Sequence, residues 1–99
     1  MRLSADSIRI IRERVAAVVG AEASVRLFGS RLNSAGRGGD IDLLVEVPAA
    51  VSRPAETAAR LAAMIGRALD GRQVDVVLAA PNLREQSIHV HARAHGVLL

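Results

Sequence analysis

Cysteine is absent from this 99-residue sequence, which excludes disulfides, thiolate metal sites and cysteine nucleophiles. Aromatics are nearly absent too, Phe28 being the only one. The core must therefore be assembled from Ala, Val, Leu and Ile, and the aromatic platforms on which single-stranded nucleic acids stack are missing. Lysine is missing as well: all thirteen basic residues are Arg, against ten acidic ones, for a formal net charge of +3. Without Lys, Tyr or Cys the nominal isoelectric point overstates how basic the chain is. Arg2, Arg9, Arg12 and Arg14 are interleaved with Asp6 and Glu13, which reads as a solvated helix face rather than a nucleic-acid track. Nucleic acid is thus not an expected partner. No apolar run is long enough to span a bilayer, and no signal-peptide-like segment opens the chain. No membrane association is expected, and the cytoplasm is the expected location.

What is present is a regular alternation of elements. Ser4 can cap a first helix whose apolar positions Ile8, Ile11, Val15 and Val18 recur at helical spacing, and Gly20 can end it. Val25 and Leu27 mark a short strand with both on one face. Residues 31–39 hold three glycines and an Asn-Ser pair and read as a loop, with a brief helical turn after Ser30. A second strand runs from Asp40 to Val47 and stops at Pro48. Ser52 and Pro54 open an Ala-rich helix reaching Leu69, with Ala58, Leu61, Ala62, Ile65 and Leu69 inward. Asp70-Gly71 turns the chain into a third strand, Val74 to Leu78. A last helix is expected from Leu83 to Ala94, followed by the apolar tail Val97-Leu98-Leu99. The fold class predicted is α/β in the α+β sense: a small mixed sheet flanked by helices, as a single domain over residues 1–99 without repeats or linkers.

Three pieces of this pattern carry chemistry. Asp40 and Asp42 stand at the head of an apolar strand and share one face of it, their Cα atoms about 6–7 Å apart. At an effective dielectric near 20, like charges about 6 Å apart repel by roughly 3 kcal/mol. A divalent cation with a preference for oxygen ligands, such as Mg²⁺, reverses that sign. Asp75, between Val74 and Val76, is again an acid inside a run that otherwise wants burial. If its strand lies beside the second, the three carboxylates can hold two metal ions about 3.5–4 Å apart. Gly29-Ser30 supplies the complement, a strand end where backbone can approach a ligand closely and where N–H groups and a hydroxyl can take phosphates. Arg31 and Arg37 can add charge-assisted bonds to the same phosphates. Each piece has a bland alternative: a turn at Gly29-Ser30, a solvated edge at Asp40 and Asp42, a pairing with Arg72 at Asp75. All three in this order, each tied to a strand, are harder to explain structurally.

Gly29-Ser30, Asp40-Ile41-Asp42-Leu43 and Val74-Asp75-Val76 together resemble the motifs of the nucleotidyltransferase superfamily that includes DNA polymerase beta. The closest likeness is to its minimal branch, the MNT domains, and it covers nearly the whole chain. The resemblance implies a polymerase beta-like palm fold, ATP as nucleotide donor and two Mg²⁺ ions. It assigns Ser30 with Gly29 to the triphosphate, Asp40 and Asp42 to both metals, and Asp75 to the catalytic metal. It further implies a partner, a helical HEPN-type toxin, which the protein would restrain as antitoxin by transferring AMP to a tyrosine hydroxyl. One departure stands out: relatives often place a Ser directly before the first aspartate, where this chain has Gly39 after Arg37-Gly38. A hydroxyl contact is lost there, but no metal ligand.

Two alternatives remain at this stage. An inactive antitoxin could neutralise its partner by binding alone, although three mutually repelling carboxylates are then unnecessary. Transfer to a small hydroxylated molecule is weakened because 99 residues leave no room for an acceptor-binding domain. His91 and His95, four apart beside His89, suggest a second metal site but lack a third ligand at suitable spacing. The apolar set Leu83, Ile88, Val97, Leu98 and Leu99 either completes the core or forms a contact in a homo-oligomer.

Overall fold

The computed structural model describes residues 3–29 and 41–99 of the chain. Helix α1 spans Ala5–Val19, and the expected cap is in place, with Ser7 N–H donating to Ser4 Oγ at 3.1 Å. Ile11 and Val15 face inward, while Arg9 on the outer side meets Asp6 at 3.5 Å and Glu13 at 3.3 Å. Arg9 is thus ion-paired on the solvent side of the helix. Gly20 leaves the helix at φ +101°, a conformation that penalises any Cβ.

The remaining elements are β1 (Ser24–Phe28), β2 (Ile41–Glu46), α2 (Pro54–Ala68), β3 (Val74–Ala79), α3 (Ser87–His95) and β4 (Val97–Leu98). The strands form one mixed sheet in the order β3-β2-β1-β4, with β1 antiparallel to both neighbours and β2 parallel to β3. The expected α+β architecture is the one observed.

Alternation along the strands divides the core between the two faces of the sheet. Val25, Leu27, Ile41, Leu43, Val45, Val74 and Leu78 meet Ile11 and Val15 of α1 and Leu61 and Ile65 of α2 on one face. On the other, Phe28, Leu44 and Ala79 pack with Ala92 of α3, and Val77 joins them. Ile41, Leu43, Leu44 and Val45 are all fully buried, because β2 is a central strand covered on both sides; a continuous apolar run is what such a strand requires.

Two expectations are corrected. The last helix begins at Ser87 rather than Leu83. Leu83 sits in a turn, its N–H donating to Ala80 O at 3.0 Å, and its side chain packs against the main core from there. The tail is not merely apolar filling: Val97 and Leu98 add an edge strand paired with Leu27 and Arg26, and both are exposed.

Candidate active site

The face bearing α3 is not covered evenly. In register, Phe28 of β1 stands beside Asp42 of β2, and Asp42 beside Asp75 of β3. Neighbouring positions on adjacent strands project to the same side, so the two carboxylates share a face across a strand spacing of about 4.8 Å. Helix α3 lies over Leu44, Ala79 and Phe28, and the acids occupy the end of the face beside it. Asp42 is half-buried and Asp75 exposed. The condition set on Asp75, that its strand lie next to β2, is met.

Gly29 follows directly on β1, at φ +83°. A Cβ built there would overlap Asp42 Oδ2 and lie 3.1 Å from its Cγ and 3.3 Å from its Cβ. The backbone of Gly29 is therefore in contact with the Asp42 carboxylate. Gly29, Asp42 and Asp75, drawn from three strand ends, form one cluster. Ser30, Arg31, Arg37 and Asp40 lie outside the described residues.

Two hard carboxylates beside a bare glycine backbone suit a cation that prefers oxygen, such as Mg²⁺. Among the described residues no three His, Cys, Asp or Glu side chains gather as a metal cage; Asp42 and Asp75 supply two, and Asp40 would be the third. The histidines make no such cage: His91 and His95 lie with ring centroids 4.7 Å apart on the exposed side of α3.

His89 does something else. It is buried, its Nδ1 accepting from Gln86 N–H and its Nε2 facing Leu78 O, each at 2.9 Å. With Nδ1 as acceptor, the proton resides on Nε2, and the imidazole donates to the carbonyl of β3, an edge strand. The ring thus ties the start of α3 to the sheet. Farther along, Arg93 donates to Glu46 at 2.7 Å and pairs with Glu85, and Arg26 meets Glu46 at 3.0 Å. The hydrogen bonds that Arg93 donates, to Glu46 first and then to Glu85, hold its guanidinium pKa above the ordinary arginine value. At the loop before α2, Asn82 holds Val51 at both backbone groups, accepting its N–H at 2.9 Å and donating to its C=O at 2.8 Å. These anchors were not anticipated from sequence. The one available signal was the three-residue spacing of Gln86 and His89, which is that of a capping box.

A concavity of about 600 Å³ lies between α1 and the β1–β4 edge and is lined by Ile8, Arg9, Val15, Ala16, Val25 and Leu98 among others. It contains neither Asp42 nor Asp75 and has no convergent carboxylates.

The sequence model of the nucleotidyltransferase domain family matches residues 8–95. Two solved structures share the fold. One, a toxin–antitoxin crystal structure with AMP-PNP, aligns at a TM-score of 0.65 and 20% identity over 97% of this chain and 72% of that one. The other, of a mutant toxin–antitoxin MntA-HpeT complex, aligns at 0.63 and 19% identity over 93% and 70%. Nothing among curated proteins matches the chain.

Proposed function

We propose, because this chain belongs to the nucleotidyltransferase domain family, that it is a Mg²⁺-dependent transferase moving AMP from ATP to a tyrosine hydroxyl of a HEPN-type toxin, and so acts as that toxin's antitoxin. The observation that carries the reading is the register of Asp42 with Asp75, with the Gly29 backbone against Asp42. A purely structural sheet gains nothing from two like charges at adjacent positions on one face.

Asp40, Asp42 and Asp75 would hold two Mg²⁺ ions. Bound there, the metal neutralises phosphate charge and makes the acceptor hydroxyl easier to deprotonate. The residues of the chain do the rest. Gly29 lets backbone approach the triphosphate, with the Ser30 hydroxyl and the Arg31 and Arg37 guanidiniums on its oxygens. Asp75, the exposed member of the pair, faces the acceptor and takes the hydroxyl proton on its carboxylate. As the acceptor oxygen bonds to the α-phosphorus, the α–β anhydride bond breaks and pyrophosphate leaves.

The protein acceptor is supported by the two structural neighbours, both toxin–antitoxin complexes, one of them with AMP-PNP. The mutant neighbour carries Asp-to-Glu changes at two positions two residues apart, the spacing of Asp40 and Asp42 here. No described helix is long and apolar enough to cross a membrane, and an ATP-dependent role fits the cytoplasm.

The test is incubation with labelled ATP, Mg²⁺ and the candidate toxin. Wild type is expected to label the toxin, and Asp42→Asn to lose labelling while keeping its fold by circular dichroism. No label transfer, together with full neutralisation by Asp42→Asn, would overturn the enzymatic account in favour of restraint by binding alone.

A further inference from the structure

We infer that Gly29 is a positioning residue for the Asp42 carboxylate, by leaving empty the volume that Asp42 Oδ2 occupies. This role rests on Asp42 being a divalent-ion ligand, as proposed above, and is distinct from close approach of the backbone to phosphate.

Three described glycines have positive φ: Gly20 at +101°, Gly29 at +83° and Gly71 at +78°. That conformation alone would select glycine at each of them. The space around them differs. A Cβ at Gly20 or Gly71 would meet nothing within 4 Å, whereas at Gly29 it would overlap Oδ2 of Asp42 and crowd its Cγ at 3.1 Å. Only at Gly29 is the missing side chain replaced by a functional group.

The half-buried Asp42 has a neighbour on either side. Phe28 stands beside it on β1 and Asp75 on β3, and Leu44, next along the same face of β2, is fully buried. A carboxylate displaced from Gly29 toward β3 moves nearer Asp75, where like charge opposes it. An alanine at position 29 would therefore disturb the spacing of the two ligands as well as the backbone.

Gly20→Ala and Gly71→Ala carry the same backbone penalty with open space around the new methyl, and serve as controls. Strain of this kind is expected to lower the melting temperature of all three variants by roughly 5–10 °C. Gly29→Ala should lose more, and most of the excess should disappear in an Asp42→Ala background, where the overlap with Oδ2 and Cγ is gone and only the 3.3 Å approach to Cβ remains; if the single variant does not fold, recovery of folding in the double variant reports the same coupling. Mn²⁺ binding, read by its paramagnetic resonance with a non-hydrolysable ATP analogue present, should weaken at least about tenfold in Gly29→Ala, as for loss of a group that orients a ligand. It should be unchanged in the two controls. Equal destabilisation of Gly29→Ala in both backgrounds, or retained Mn²⁺ affinity, would overturn the role. So would an equal loss of nucleotide affinity with and without metal, which would place the glycine's effect on phosphate. Unchanged Mn²⁺ affinity in Asp42→Ala itself would instead refute the ligand reading, leaving the coupling between positions 29 and 42 to be judged by the melting cycle.

Discussion

Replacing Asp75 with Asn should make the metal-free protein more stable and the enzyme inactive. Asp42 and Asp75 occupy one register position on neighbouring strands. With charges about 5 Å apart and an effective dielectric near 20, their repulsion is about 3 kcal/mol. Asp75 is exposed, however, and exposed pairs in water rarely exceed about 1 kcal/mol. Solvent screening decides the magnitude, so the gain is about 1 kcal/mol or less. For a domain of this size that corresponds to a rise in melting temperature of at most about 4–8 °C. It should appear in chelator at low ionic strength and fade near 1 M salt, where the Debye length is about 3 Å. Mg²⁺ should then raise the melting temperature of wild type more than that of Asp75→Asn, compared against NaCl at equal ionic strength. Label transfer from ATP should fall more than about a hundredfold if Asp75 is the metal ligand proposed above, since such a ligand supports several kcal/mol of transition-state stabilisation. An Asp75→Asn protein that melts below wild type in chelator at low salt would refute the reasoning: the aspartate would then be making a structural contact rather than opposing its neighbour.

Other expectations concern the scaffold. Leu43→Ala, in the fully buried centre of β2, should cost about 2–5 kcal/mol, seen as a large loss in urea midpoint. Gly66→Ala lies within α2, where alanine ordinarily gains up to about 1 kcal/mol. Here its Cβ would lie 2.7 Å from Arg72 O, so thermal melting should show destabilisation instead. Asn82→Ala removes both partners of Val51's backbone and should cost about 1–3 kcal/mol by chemical denaturation.

The elements set by local pattern were legible. Period-3.6 spacing located α1 and α2, and period-2 spacing put Val25 and Leu27 on one face of β1. The end of the chain was less so, for identifiable reasons. Leu83 heads a stretch without a strand signal and so reads as the start of the last helix, yet it reaches the core from a turn, and one apolar residue cannot distinguish those geometries. A strand as short as Val97–Leu98 has too few residues to show a period; its identity comes from β1, whose Leu27 and Arg26 pair with it. His89 looked like one of three histidines available to a metal, but both its ring nitrogens are engaged by Gln86 and Leu78. A long-range carbonyl partner of that kind leaves no local mark in sequence.

The candidate site divides along the same line. Asp42 and Asp75 were visible because each breaks the burial pattern of its strand, and local rules are broken where function compensates for the cost. Their alignment, the contact of Asp42 with Gly29 and the placement of α3 beside them all depend on strand pairing between distant segments. Glycine is ambiguous in this respect. Gly20, Gly29 and Gly71 share positive φ, so conformation alone cannot tell a helix stop or a turn from a ligand-shaping position. The distinction lies in what fills the space of the absent Cβ: nothing at Gly20 and Gly71, and a carboxylate at Gly29. The chemistry of the site is therefore written in residue types, whereas its precision is written in pairings, and substitutions that preserve every acid can still disable it by moving one of them.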